Sequence, residues 1–363
     1  MLANEQLNMN IGVIKEIKVH EYRVGLTPDS VAELVKNNHW VWVESGAGLG
    51  ANFTDQMYQQ AGAIVGTKQQ VFEHANLIVK VKEPLLEEVG FFKPEHVLFT
   101  YLHLAADKKL TQALAATGAT FIAYETVTNE LGQLPLLQPM SQIAGRLATQ
   151  VGAQSLLKSQ GGKGKLLGGL PGVPPAHVVV IGAGNVGEQA ALIAMGMQSK
   201  VTILDTNIDR LDQLKNKYVG SINCVIASEN TIKAAVLEAD MVVGAVLVTG
   251  ASSPKLVKKD WLSQMEKHSV LVDVAIDQGG CFETSRPTTH SEPTYEVDGI
   301  VHYCVTNMPG AVPVTSTIAL NNATLPYVKR IAELGLEKAL AEDAGLNNGV
   351  NILNGKVVYK GLV

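Results

Sequence analysis

The run Val178-Val179-Val180-Ile181 passes directly into Gly182-Ala183-Gly184-Asn185-Val186-Gly187 and then into an apolar stretch of helical period. A bare G-x-G-x-x-G says little. Between a buried-strand run and a helix, it is the turn that cradles a dinucleotide pyrophosphate. Gly182 allows the tight turn, Gly184 lets the backbone approach the phosphates, and Gly187 lets the helix pack on the strand. The unpaired N–H groups and positive end of that helix then face the anion. Asp205 stands 23 positions after Gly182, at the end of the next apolar run. A carboxylate there accepts hydrogen bonds from an adenosine ribose and repels a 2′-phosphate, which favours NAD(H) over NADP(H). Arg210, a little further on, is the opposing signal, because a nearby arginine welcomes that phosphate.

A nicotinamide ring exchanges hydride with its partner, which needs charge complementarity and a proton carrier. Open α/β sheets bind ligands at the carboxyl ends of strands. Lys80 and Lys82 close the run LIVKVKEP at 77–84, where strand alternation puts both on one face and Lys82 nearer the end. His103 follows the apolar run from Val97 to Leu102, and an imidazole there can shuttle protons near neutral pH. On pattern alone a histidine so placed is more often a hydrogen-bonded core residue. Arg23, in Glu21-Tyr22-Arg23-Val24, can grip a carboxylate with two parallel bonds, although an arginine in such a loop is more often a surface cation. Asp277 precedes Gln278-Gly279-Gly280, where the chain must turn. It is placed to orient an acid–base group, to touch the cofactor, or to cap the turn. His39 and His74 read as polar-face residues. No H-E-x-x-H, metal-spaced cluster or G-x-S-x-G elbow occurs, so no metal is expected.

These groups need a scaffold. Strands are predicted at 11–14, 40–43, 77–81, 97–101 and 121–124. Thr27-Pro28 reads as an N-cap followed by proline at the first helical position, and Asp107 opens another helix. A Pro-containing break at 134–139 precedes a long helical stretch from Ser141 to about 159, and the Gly- and Pro-rich segment 161–175 reads as an exposed loop. A second series of strands follows at 177–181, 201–204, 224–227, 241–244 and 270–274. The chain turns helical again from about 308 to 343, and Asn354-Gly355 makes a hairpin turn. This βαβα rhythm predicts an α/β protein with mostly parallel sheets and helices on both faces.

At roughly 150 residues per domain, 363 residues make two domains. Hydrophobic residues are 46% and charged residues 17%, which excludes a disordered, solvated chain. A net charge of -5 excludes a nucleic-acid footprint and a polybasic membrane anchor. Three scattered cysteines with no C-x-x-C exclude a disulfide framework and fit a reducing cytoplasm. The first eight residues lack a signal-peptide pattern. The most apolar long stretch, 177–197, contains Asn185, Glu188 and Gln189 and reads as a strand plus a helix, not a membrane span.

With these residues assembled, the sequence resembles the bacterial L-alanine dehydrogenases over nearly all its length from Met9. The resemblance is carried by EYRV (21–24), LIVKVKEP (77–84), TYLHLAA (100–106), AYET (123–126), PLLQPMS (135–141), the glycine loop, VDVAIDQGGCFETSR (272–286) and Asn307-Met308-Pro309. It implies reversible, NAD-dependent oxidative deamination of L-alanine to pyruvate and ammonia. By resemblance, Arg23 and Lys82 match the substrate-binding pair, and His103 and Asp277 the catalytic acid–base pair. Ser141, Asn185, Val186, Asp205, Arg210, Val246, Leu247, Arg286, Asn307 and Met308 match cofactor-contacting positions. The implied layout is two Rossmann-like domains with a cleft between them: a discontinuous substrate domain, 1–136 with 314–363, and an NAD-binding domain, 137–313. A cytoplasmic homohexamer is implied, with no nucleic-acid or membrane partner. Gly310 departs from the serine or alanine often found there. The competing readings are the NAD-binding component of a proton-translocating transhydrogenase, a related protein, and a non-catalytic NADH-sensing module.

Overall fold

The computed structural model describes residues 8–247 and 253–362, so the first seven residues lie outside the described ones. The chain divides into two compact units, Met1–Met140 with Gly310–Val363, and Ser141–Pro309.

Among the described residues, the first unit is built on an eight-stranded sheet. Its parallel part runs Ile64–Gly66, Trp40–Glu44, Asn10–Val13, Leu77–Val79, Val97–Thr100, Thr120–Ala123, and the antiparallel pair Val350–Leu353 and Lys356–Val357 extends one edge. In the second unit, Asn223–Ile226, Lys200–Asp205, His177–Ile181, Met241–Gly244, Val270–Asp273 and Ile300–Tyr303 are parallel, and Thr294–Val297 adds an antiparallel edge. Counting only the parallel strands, in chain order within each unit, both sheets read 3-2-1-4-5-6, the order of dinucleotide-binding sheets. The central strands are continuous Val, Ile and Leu runs because both faces are covered: Val178, Val179, Val180, Val242, Val243, Leu271 and Val272 are all fully buried.

Local chemistry sets the helices that start between strands. Thr27 caps Pro28–Lys36 by accepting the Ser30 N–H, and Val31 and Leu34 face the core. Asp107 caps Lys108–Ala116, burying Leu110 and Leu114. Several elements differ from expectation. The strand at Leu77 stops at Val79, yet the Lys80 N–H still reaches the Phe99 carbonyl at 3.2 Å. The long helix spans Gln138–Ser155. It ends where Gly162 packs so tightly that an added Cβ would lie 2.2 Å from the Ser155 carbonyl oxygen. His39 is buried, and its Nδ1 accepts the Met9 N–H at 3.3 Å.

Candidate active site

In the first unit the strand order reverses between Asn10–Val13 and Leu77–Val79, and ligands of open α/β sheets bind at the carboxyl ends beside such a point. The segments leaving these two strands carry Glu16, Arg23, Lys80 and Lys82. Arg23 is only 2% exposed, not a surface cation. Its Nε and Nη2 donate to the two Glu21 oxygens at 2.7 and 2.6 Å, and Nη1 donates to the Met140 sulfur at 3.1 Å. Burial works against the guanidinium charge, but the bonds to Glu21 outweigh it and the net shift is upward. Glu21, two residues earlier, supplies a fork that matches the guanidinium, which is why the cation stays inside.

The two lysines meet different fates. Lys80 is fully buried, 3.2 Å from Glu16 and 3.3 Å from Glu88. Lys82 is only partly buried. Glu16 accepts the N–H groups of Val81 at 2.7 Å and Lys82 at 3.2 Å. The Tyr124 hydroxyl donates to the Lys80 carbonyl and the Thr100 hydroxyl to the Lys82 carbonyl, each at 3.0 Å. Past the end of the strand, side chains thus bond the backbone groups at 80–82.

His103 follows the next strand of the sheet. It is 46% exposed at its side chain, so it is not a core histidine. Its backbone is left-handed, φ 48° and ψ 33°. The N–H groups of Leu102 and His103 both converge on Glu125, at 3.1 and 2.6 Å, a small anion-binding nest. Its ring stacks against Tyr101 with planes 9° apart, and Nδ1 lies 3.9 Å from a Glu125 oxygen.

The second unit carries the glycine loop, at its own reversal point between His177–Ile181 and Met241–Gly244. Gly182 has φ 102°, and a Cβ there would lie 2.8 Å from the Ala245 carbonyl oxygen; at Gly187 it would lie 1.7 Å from that of Gly182. At Gly184 a Cβ would meet nothing within 4 Å. Two glycines therefore bring the helix Asn185–Gly196 against the strand, and the third leaves open space at its N-terminus. That cradle fits a pyrophosphate.

Asp205 ends the neighbouring strand, and its oxygens accept the N–H groups of Ala183 at 2.6 Å and Asn207 at 2.8 Å. Val246 and Leu247 follow Met241–Gly244, the first partly buried and the second 43% exposed. Asp277 lies exposed on the turn Ile276–Gln278. Backbone bonds close the turn, from the Gln278 and Gly280 N–H groups to the Ala275 carbonyl and from the Gly279 N–H to that of Ile276, and buried Asp273 ties its flanks by accepting from Ala275, Cys281, Phe282 and the Ser285 hydroxyl. Burial pushes the Asp273 carboxyl up. The Arg286 guanidinium lies 4.0 Å from the Tyr295 ring centroid. Asn307 is left-handed at φ 57°, Met308 is buried behind it, and Ser141 is partly buried in the helix Gln138–Ser155. Among the described residues, no group of three His, Cys, Asp or Glu side chains is placed to hold a metal, and no helix is long and apolar enough to cross a membrane.

Arg23, Lys82 and His103 thus share the carboxyl edge of one sheet. The glycine loop, Asp205, Arg210, Val246, Leu247, Asp277 and Asn307 share that of the other. Residues 12–144 match the N-terminal domain, and residues 148–360 the C-terminal domain, described as alanine dehydrogenase/PNT. The chain belongs to the alanine dehydrogenase/PNT family. It is 55% identical to the alanine dehydrogenase of Halomonas elongata over 353 residues, 97% of this chain and 95% of that protein. A solved L-alanine dehydrogenase superposes with a TM-score of 0.95 at 50% identity, covering 98% of each chain. The transhydrogenase from Sinorhizobium meliloti shares the fold, with a TM-score of 0.85 at 24% identity over 96% of this chain and all of that one.

The supporting carboxylates Glu16, Glu21 and Glu125 are missing from the sequence reading of the site. A usable signal existed for two of them. Glu16 and Glu125 each stand just beyond a predicted strand, as Lys82 and His103 do.

Proposed function

We propose that this protein is an NAD-dependent alanine dehydrogenase, converting L-alanine, NAD and water reversibly to pyruvate, ammonium, NADH and a proton. The observation that carries the reading is the 55% identity to an alanine dehydrogenase across 97% of the chain, which includes every string around Arg23, Lys82, His103 and Asp277. The transhydrogenase likeness, at 24% identity, extends to the fold alone.

The glycine cradle and Asp205 hold the dinucleotide, whose nicotinamide supplies the acceptor for the hydride leaving the alanine Cα. Arg23 and Lys82 bind the substrate carboxylate through charge-assisted hydrogen bonds, worth about 1.5–3 kcal/mol each. Glu21 fixes the Arg23 fork before substrate arrives, so little order is lost on binding. Lys82 also stabilises negative charge on the oxygen that becomes the pyruvate carbonyl. His103 takes a proton from the attacking water and returns one to the departing amine, a service worth about 10²–10⁴-fold in rate. Its partial exposure lets that proton exchange with solvent. Asp277 acts as the second acid–base group. Backbone bonds close its turn and Asp273 ties the flanks, while the Asp277 side chain lies exposed, as that role requires. By the same resemblance we propose a cytoplasmic location and a homohexamer, the latter tested by light scattering of the purified protein.

The deciding assay is NADH formation on mixing the protein with NAD and L-alanine, read by absorbance. Sustained turnover is expected. Tight NADH binding without turnover would replace the enzyme by an NADH-sensing protein.

A further inference from the structure

Arg210 is a cation beside the glycine loop of a site that, when it holds NAD, offers no 2′-phosphate for it to pair with. Asp205 and Arg210 flank one residue of the glycine loop: Asp205 accepts the Ala183 N–H at 2.6 Å, and Arg210 Nε donates to the Ala183 carbonyl at 2.8 Å. A guanidinium beside the ribose-binding carboxylate is where a 2′-phosphate finds a bidentate partner. Yet this guanidinium is already engaged. Its Nη2 donates to Glu188, and its Nη1 is 3.4 Å from the Gln213 side-chain oxygen.

Glu188 is only 8% exposed, in the first turns of the helix that follows the glycine loop. Its second oxygen accepts Lys217 Nζ at 2.7 Å and the Tyr218 hydroxyl at 3.0 Å. One carboxylate therefore ties down two cations beside the glycine loop. Burial works against its charge, but its three donors hold the carboxyl below the ordinary glutamate range.

We propose that Glu188 is a specificity-determining residue that disfavours NADP by holding Arg210, and with it Lys217, away from a 2′-phosphate. The inference rests on the dinucleotide site proposed above. Asp205 and Glu188 then exclude the phosphate by different means, one by repulsion and the other by occupying the group that would bind it.

The test is titration of the intact protein with NADH and with NADPH, followed by nucleotide fluorescence. Glu188→Gln should raise the affinity for NADPH relative to NADH by about tenfold, the effect of one charge-assisted bond gained. Adding Arg210→Met to that variant should abolish the gain, because the released guanidinium is its source. Glu188→Asp, too short to span to Arg210, provides a second route should the glutamine variant unfold. The inference is overturned if either folded Glu188 variant leaves the NADPH-to-NADH ratio unchanged, or if the gain survives removal of Arg210. A native protein that binds neither nucleotide would instead overturn the dinucleotide site itself.

Discussion

A carboxylate oxygen of Glu125 lies 2.6 Å from the backbone nitrogen of His103 and 3.9 Å from Nδ1 of its ring. The same side chain takes the Leu102 N–H. A non-glycine residue in the left-handed region costs roughly 1–2 kcal/mol, so the turn holds only where something compensates. Glu125→Ala removes the acceptor of two adjacent N–H groups. Turnover should fall at least about tenfold and Tm should drop, while NADH affinity, proposed to belong to the other unit, stays the same. Steady-state kinetics, NADH titration and thermal melts separate these effects. Full activity in the alanine variant would leave Glu125 without a role in placing His103.

His103→Ala tests the proton carrier itself. Turnover should fall by at least about a hundredfold with little change in Tm, because the side chain is half exposed and its removal opens no cavity. Rates within a few-fold of native would remove His103 from the mechanism.

Arg23 and Lys82 are proposed to share one substrate group, but they stand differently in the fold, and their variants should differ accordingly. Lys82→Ala, at a side chain only partly buried, should raise the KM for pyruvate and lower kcat, with a smaller loss of Tm than at Arg23. Arg23→Ala leaves the buried Glu21 carboxylate without its guanidinium, at a cost of about 3–5 kcal/mol. Its Tm should therefore fall by many degrees. Equal melting temperatures for the two variants would contradict the buried pair at Arg23.

What could be read in advance follows from how local the cause is. The glycine loop was legible because its requirements are steric and lie within six consecutive residues: a left-handed turn at Gly182 and a collision at Gly187 that no side chain survives. The helix starts at Thr27 and Asp107 were legible for the same reason. Lys80 was not. Alternation paired it with Lys82, but Glu16, 64 positions earlier, and Glu88 hold it inside, and neither contact leaves a trace in the local pattern. The short strand Ile64–Gly66 and the hairpin of Thr294–Val297 with Ile300–Tyr303 were missed because three or four residues are too few to display a period. The burial of Arg23 depended on a partner only two residues away, and reading that pair as a unit would have found it.

Asp205→Ala should do more than relax cofactor preference. Its carboxylate accepts the Ala183 N–H inside the glycine loop, so the variant loosens the proposed phosphate cradle as well as the proposed ribose contact. NADH affinity should fall while affinity for NADPH falls less, both read by fluorescence titration. Unchanged affinity for NADH would put Asp205 off the ribose.

Asp240 supplies a pH test of stability away from either site. It is 3% exposed and accepts Lys163 Nζ at 2.8 Å, Lys165 Nζ at 2.7 Å and the His177 N–H at 2.7 Å. Burial alone would raise its pKa, but these donors prevail and hold the carboxyl below the ordinary aspartate value of 3.8. A folded-state pKa below the unfolded one means that the ionised form is favoured by folding. Its contribution is fully present above the unfolded value and disappears as pH falls through the folded one. Asp240→Asn should therefore melt well below the native protein at neutral pH, and the gap should close as the pH is lowered beneath about 4. A gap that stays constant as the pH is taken well below about 4 would mean that the loss comes from packing and not from the charge on Asp240.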